Sequence, residues 1–139
     1  MNFEIFKDIY ALTMMFYQRI EHDIKLIYAF MLKGDADKNF GSIENETLGS
    51  MIRALEKLDY SDNKPFISKS DYKFLKEICD RRNYWAHQAF TDFIYGDNPL
   101  LSKEYCDICR FLENDYKEVE KASDILEQIR VECHNKYRG

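Results

Sequence analysis

The sequence predicts an all-α fold: an up-down bundle of four to five helices in one domain spanning residues 1–139. Three observations carry this. Apolar residues step by three and four along four separate segments, the spacing that lines one face of an α-helix. Five Gly and two Pro are too few for the turns of a sheet protein but enough for a few helix connections. The composition, 45% hydrophobic and 32% charged over 139 residues, is that of a globular chain with room for a real core.

The first helix is expected over about residues 2–33. Phe3, Phe6, Tyr10, Met14, Tyr17, Ile20, Ile24, Ile27 and Met31 form one face, and Ile5, Ile9, Leu12 and Phe16 add a second stripe. A helix apolar over so much of its circumference is covered on two sides, by the bundle or by a partner chain. Gly34 is its expected stop. Residues 34–42 read as a polar loop, without the ligand series of a calcium loop. Asn45 or Thr47 starts a shorter helix to about Leu58, burying Leu48, Met51, Ile52, Leu55 and Leu58. After a loop at residues 61–68, Ser68 or Ser70 caps a third long element, which reaches about Tyr95 and ends at Gly96-Asp97-Asn98-Pro99. Ser102 caps the last helix, which extends to about Tyr137 with a stripe from Tyr105 to Cys133. At ~1.5 Å per residue it exceeds ~50 Å, long enough for a kink near residues 121–124.

The formal net charge is −5, which disfavours indiscriminate binding to nucleic acid but is compatible with a small basic cleft on an acidic body. The first eight residues contain Glu4 and Asp8 and no basic run, unlike a secretory signal. No apolar run approaches the ~20 residues that span a bilayer, so no membrane association is expected and the chain is read as cytoplasmic. The four cysteines, Cys79, Cys106, Cys109 and Cys133, are expected as reduced thiols. Cys106 and Cys109 with Cys133 and His134 could be written as a zinc set. One continuous helix would hold the two pairs ~36–40 Å apart, so neither a metal nor another cofactor is expected.

The chemistry-bearing stretch is Arg81-Arg82-Asn83-Tyr84-Trp85-Ala86-His87, with the only Trp of the chain and one of three His. It interrupts the apolar pattern Leu75, Ile78, Cys79, Arg82, Trp85, Ala86, Ala89, Phe93, so Arg82 takes a position where a core residue is expected. A charge there costs several kcal/mol unless it is paired or solvated. Either a carboxylate meets it or its face opens onto a cleft.

Arg82, the polar Asn83 and, after three residues, His87 resemble the R-x4-6-H motif of the HEPN superfamily; Arg81 fits the wider spacing. The resemblance implies a four- to five-helix domain, and in many members a metal-independent endoribonuclease of toxin–antitoxin or phage-defence systems. It also implies a homodimer in which two protomers build one cleft, and a possible antitoxin partner. One such toxin family continues the motif as histidine, any residue, tyrosine, and that tyrosine is modified by its partner. Ala89 stands at that place here, so neutralisation by that route is in doubt.

Metal-free RNA cleavage needs a proton carrier and a stabiliser of phosphate charge. A histidine suits the first role, and an arginine's planar fork the second. His87 is the acid–base candidate, Arg82 the phosphate clamp, and Asn83 the third motif residue; Arg81 and Lys76 are candidate phosphate contacts, and the series Lys69, Lys73, Lys76, Arg81 reads as an approach for phosphate. On an ideal helix Arg82 and His87 point about 140° apart, and Asn83 and His87 about 40° apart, so one helix does not aim Arg82 and His87 at one point. Blander readings stand beside these. Arg81 and Arg82 would pair with Glu21, Asp23 or Glu77, His87 would be an interior hydrogen-bonded residue, and Lys69, Lys73, Lys76 and Arg81 would form a solvated face. The alternative function is a non-catalytic HEPN-like dimer that binds a nucleotide or a partner protein.

Overall fold

The computed structural model describes residues 1–139 and is all-helical. Five α-helices follow one another: α1 (Phe3–Met31), α2 (Ala36–Ile43), α3 (Leu48–Asp59), α4 (Lys69–His87) and α5 (Lys103–Arg138), with a 3-10 turn at Pro99–Leu101. No helix is long and apolar enough to cross a membrane.

Local side chains set the helix starts. Asn2, Asp35, Thr47, Ser68 and Ser102 each cap a helix by accepting hydrogen bonds from amides of its first turn. Thr47 and Ser68, rather than Asn45 and Ser70, are the caps of α3 and α4.

Cross-helix contacts fix the directions. Tyr105 donates to the Met1 carbonyl at 3.1 Å, while at the other end Arg138 donates to the carbonyls of Phe30 and Leu32, so α1 and α5 run parallel. Tyr10 donates to the Trp85 carbonyl, and Tyr72 near the start of α4 reaches Asp59 at the end of α3. Hence α4 runs against α1 and α3. The short α2 descends beside α1, with Phe40 edge-on to His22 and the Glu44 carbonyl accepting from Lys25. The order is up, down, up, down, up. Twenty-five buried residues from all helices except α2 form one continuous core.

Two stretches differ from the sequence expectation. Residues 34–42 are not a loop throughout: the chain turns at Gly34, whose φ of +105 suits glycine, and then forms α2. Asp35 supplies the cap, and Asn39 donates to the Ala29 and Leu32 carbonyls, which ties α2 to the end of α1. The motif-bearing element stops at His87 instead of Tyr95. Beyond it the amides of Gln88 and Ala89 both bond to the Tyr84 carbonyl, and turns follow. Phe90 and Phe93 fold back edge-on against Phe6. Burial of Ala89 and Phe93 follows the apolar spacing, but aromatic packing achieves it without helix. The last helix is unbroken through residues 121–124, where Ala122 and Ser123 are buried.

Burial and carboxylate partners raise the phenols of Tyr17 and Tyr72, and burial chiefly raises Tyr84 and Tyr105 to about 12, all from an ordinary 10.0. The folded chain therefore holds protons that the unfolded chain releases above pH 10, and stability falls there as pH rises. The thermal melting temperature is expected to be unaffected by these groups below pH 10 and to fall as pH rises from 10 through 12. Tyr84→Phe should make that fall shallower, as followed by circular dichroism.

Candidate functional site

The motif lies on the last two turns of α4, and a buried carboxylate from α5 decides how it is presented. Asp115, 3% exposed, sits among apolar residues of the α1, α4 and α5 interface. One of its oxygens accepts hydrogen bonds from Trp85 Nε1 at 2.7 Å and from the Tyr17 hydroxyl. The other lies 3.2 Å from Arg81 Nη1. That contact is an ion pair without hydrogen-bond alignment, since Asp115 Oδ1 has no aligned donor. Arg81 also bonds Glu118. Burial opposes its charge, but Glu118 and Asp115 outweigh burial and raise its pKa. Asp115 and Glu118 take the place of the expected partners Glu21, Asp23 and Glu77. Trp85, 1% exposed, is a core residue.

Arg82 behaves differently from its neighbour. It is half-buried and makes no ion pair; its one polar contact is a weak 3.4 Å approach to Asn83 Oδ1. The charge on the apolar stripe thus meets no carboxylate and reaches solvent at its tip, as long arginine stems allow. Asn83 is exposed and donates only to Cys79 Sγ at 3.9 Å. His87 ends α4, is exposed, and takes no hydrogen bond within the chain, so it is not the interior residue of the bland reading. Asn83 and His87 share one face of α4, while Arg82 lies about 140° around the helix from His87. None of the five main cavities is lined by Arg82, Asn83 or His87. Comparison with family models, curated proteins and solved structures returns no match.

Lys76 points away from Arg81. It pairs with Glu56 at 2.9 Å and lines a groove between α3 and α4 that Arg81 does not enter. That groove is also lined by Lys69 and Lys73 of the same series, and it adds Arg53 and Lys57 to the candidate residues. The spacing of Lys69, Lys73 and Lys76 was legible on α4; Arg53 and Lys57 become neighbours only once α3 packs against it. Asp115 carried a readable mark: it falls between Leu112 and Val119 on the apolar stripe of α5, as Arg82 does on α4. The cysteines remain free, with Cys106 exposed and Cys133 buried and donating to the Ile27 carbonyl. The unbroken α5 holds the Cys106–Cys109 pair and the Cys133–His134 pair at separate levels of one helix.

Asp115→Ala strands Trp85 Nε1 and the Tyr17 hydroxyl and leaves Arg81 with Glu118 alone. Removing one partner from such a buried charged cluster costs about 3–5 kcal/mol. The expected result is a large loss of stability in urea, with a red shift in the emission of Trp85, the sole tryptophan. Asp115→Asn keeps an acceptor and should cost less. Equal stability of Asp115→Ala and wild type would remove this cluster from the account.

Proposed function

We propose that this chain is a HEPN-type metal-independent endoribonuclease that acts as a homodimer. The observation that carries the reading is the different fate of the two adjacent arginines. Arg81 is bound to Asp115 and Glu118, whereas Arg82 keeps a guanidinium free of any carboxylate, with Asn83 and His87 exposed on the following turns. The motif residues named by the resemblance are thus those left available for a ligand. In this reading His87 accepts the 2′-hydroxyl proton, the 2′-oxygen bonds to phosphorus, and the bond to the 5′-oxygen breaks. Arg82 holds the non-bridging oxygens with its fork. The leaving oxygen takes up a proton, which gives a 5′-hydroxyl and a 2′,3′-cyclic phosphate.

The 140° between Arg82 and His87 is the reason for a dimer. A second protomer brings its own motif across a two-fold axis and supplies what one helix cannot aim. Ile5, Leu12 and Met15 on α1 are exposed apolar residues compatible with such an interface. Action in a toxin–antitoxin or phage-defence system, with an antitoxin partner, follows from the resemblance alone. The second reading, a non-catalytic dimer that binds a nucleotide or partner protein, is favoured by the net charge of −5.

The test is cleavage of single-stranded and structured RNA in EDTA. Wild type should cut RNA and spare DNA, which lacks the 2′-hydroxyl. His87→Ala should lose on the order of 10²–10⁴-fold in turnover, and Arg82→Lys should also be impaired because an ammonium lacks the bidentate fork. Both residues are outside the core, so both variants should melt like wild type. Undiminished cleavage by His87→Ala ends the catalytic reading. Light scattering should separately return a dimer at micromolar concentration; a monomer would remove the composite site.

A further inference from the structure

The face of α4 that carries His87 has a second feature. At about 100° per residue, Lys69, Lys73, Lys76, Asp80 and Asn83 all lie within about 40° of His87 around the helix. Opposite the three lysines, α3 presents Arg53, Glu56, Lys57 and Tyr60. These seven residues line an open groove of about 520 Å³. Five of them are cationic and one is a carboxylate. Glu56 is taken by Lys76 at 2.9 Å, and Lys69 Nζ lies 5.6 Å from the Tyr60 ring. Arg53, Lys57, Lys69 and Lys73 have no ion-pair partner, in a chain with more acids than bases. A solvated helix face spreads its charges outward. Here two walls turn like charges towards each other, an arrangement that a polyanion relieves.

We infer that this groove holds the phosphodiester backbone of single-stranded RNA and leads it along α4 towards Asn83 and His87. The polymer's identity and direction rest on the ribonuclease reading; the cationic groove stands without it. Backbone contact fits the lining better than a mononucleotide site does. Tyr60 is the only hydrophobic residue among the seven, and nothing encloses a base. Lys69 to Lys76 covers ~10 Å of helix, and His87 lies ~16 Å beyond Lys76. Asp80, beside Arg53 and Lys76 in an adjoining recess, is the one acidic residue that α4 itself places on this face.

The experiment measures binding without cleavage. A fluorescent single-stranded RNA, 2′-O-methylated throughout, keeps every phosphate and cannot react through its 2′-oxygen. Anisotropy is followed across a salt series for wild type, Lys69→Glu/Lys73→Glu and Lys69→Arg/Lys73→Arg. Wild type and the arginine pair should bind alike. The double reversal should weaken binding by about tenfold or more and flatten the log–log salt slope by roughly 1.4, from about 0.7 per phosphate contact. A glutamate at position 69 in the first turn of α4 suits the helix dipole, and melting checks the fold. Unchanged affinity in the double reversal overturns the inference, as does a wild type that binds no RNA, or that binds ATP tightly in preference to it. Cleavage of unmodified RNA is scored separately. Salt-dependent binding lost in the double reversal, without cleavage by wild type, keeps the groove and rejects the nuclease; cleavage with binding untouched by the reversal does the opposite.

Discussion

Helix α4 is held in place by two buried carboxylates. Asp59, 2% exposed at the end of α3, accepts from the amides of Phe66 and Ile67 and from the Tyr72 hydroxyl. Asp115, on α5, accepts from Trp85 and Tyr17 and faces Arg81. One fixes the start of α4 and the loop that leads into it; the other fixes its last turns. A buried carboxylate left unpaired is strongly destabilising, so each must keep its donors. That requirement sets the rotation of α4 about its own axis more tightly than apolar packing alone, which tolerates side chains of similar volume.

The rotation has a chemical consequence. With Trp85 and Arg81 directed at Asp115, helical geometry places Lys69, Lys73, Lys76, Asn83 and His87 on the outer face. Arg82 falls between the two sides, half-buried and without a carboxylate. The neighbouring arginines thus divide the work: one compensates a buried charge and the other stays available. Exchanging their roles would require turning the helix by about 100°, which would break both carboxylate anchors.

The helical class and the starts of α3, α4 and α5 were legible because a cap is local chemistry between a side chain and amides within three residues of it. The eight-residue α2 was not legible. It buries no residue fully, and its stripe of Ala36, Phe40 and Ile43 is too short to stand out from a polar loop, with only Asp35 to mark its beginning. Residues 88–95 misled in the opposite sense. The buried positions Ala89 and Phe93 keep helical spacing, yet contacts with Phe6, distant in sequence, decide the backbone. In the candidate site the same division holds. Exposure of His87 and the lysine series follow from spacing on one helix. The choice between Arg81 and Arg82 depended on Asp115 and Glu118, 34 and 37 residues away, and no local pattern ranks such partners.

An acidic chain with one basic groove constrains any anion it meets. Net charge sets the distant field, and at −5 that field repels nucleic acid. Within about a Debye length, ~8–10 Å at ordinary ionic strength, the groove's own cations dominate. Such a surface does not gather RNA indiscriminately. On the proposed reading, a strand is held only once it has reached the cleft between α3 and α4, where both walls would act on the same phosphates. Non-specific binders spread uncompensated positive charge over the body; here five of the twenty basic residues face one another across the single groove between α3 and α4. Placement of charge, more than its total, therefore sets where on such a chain an anion can dock.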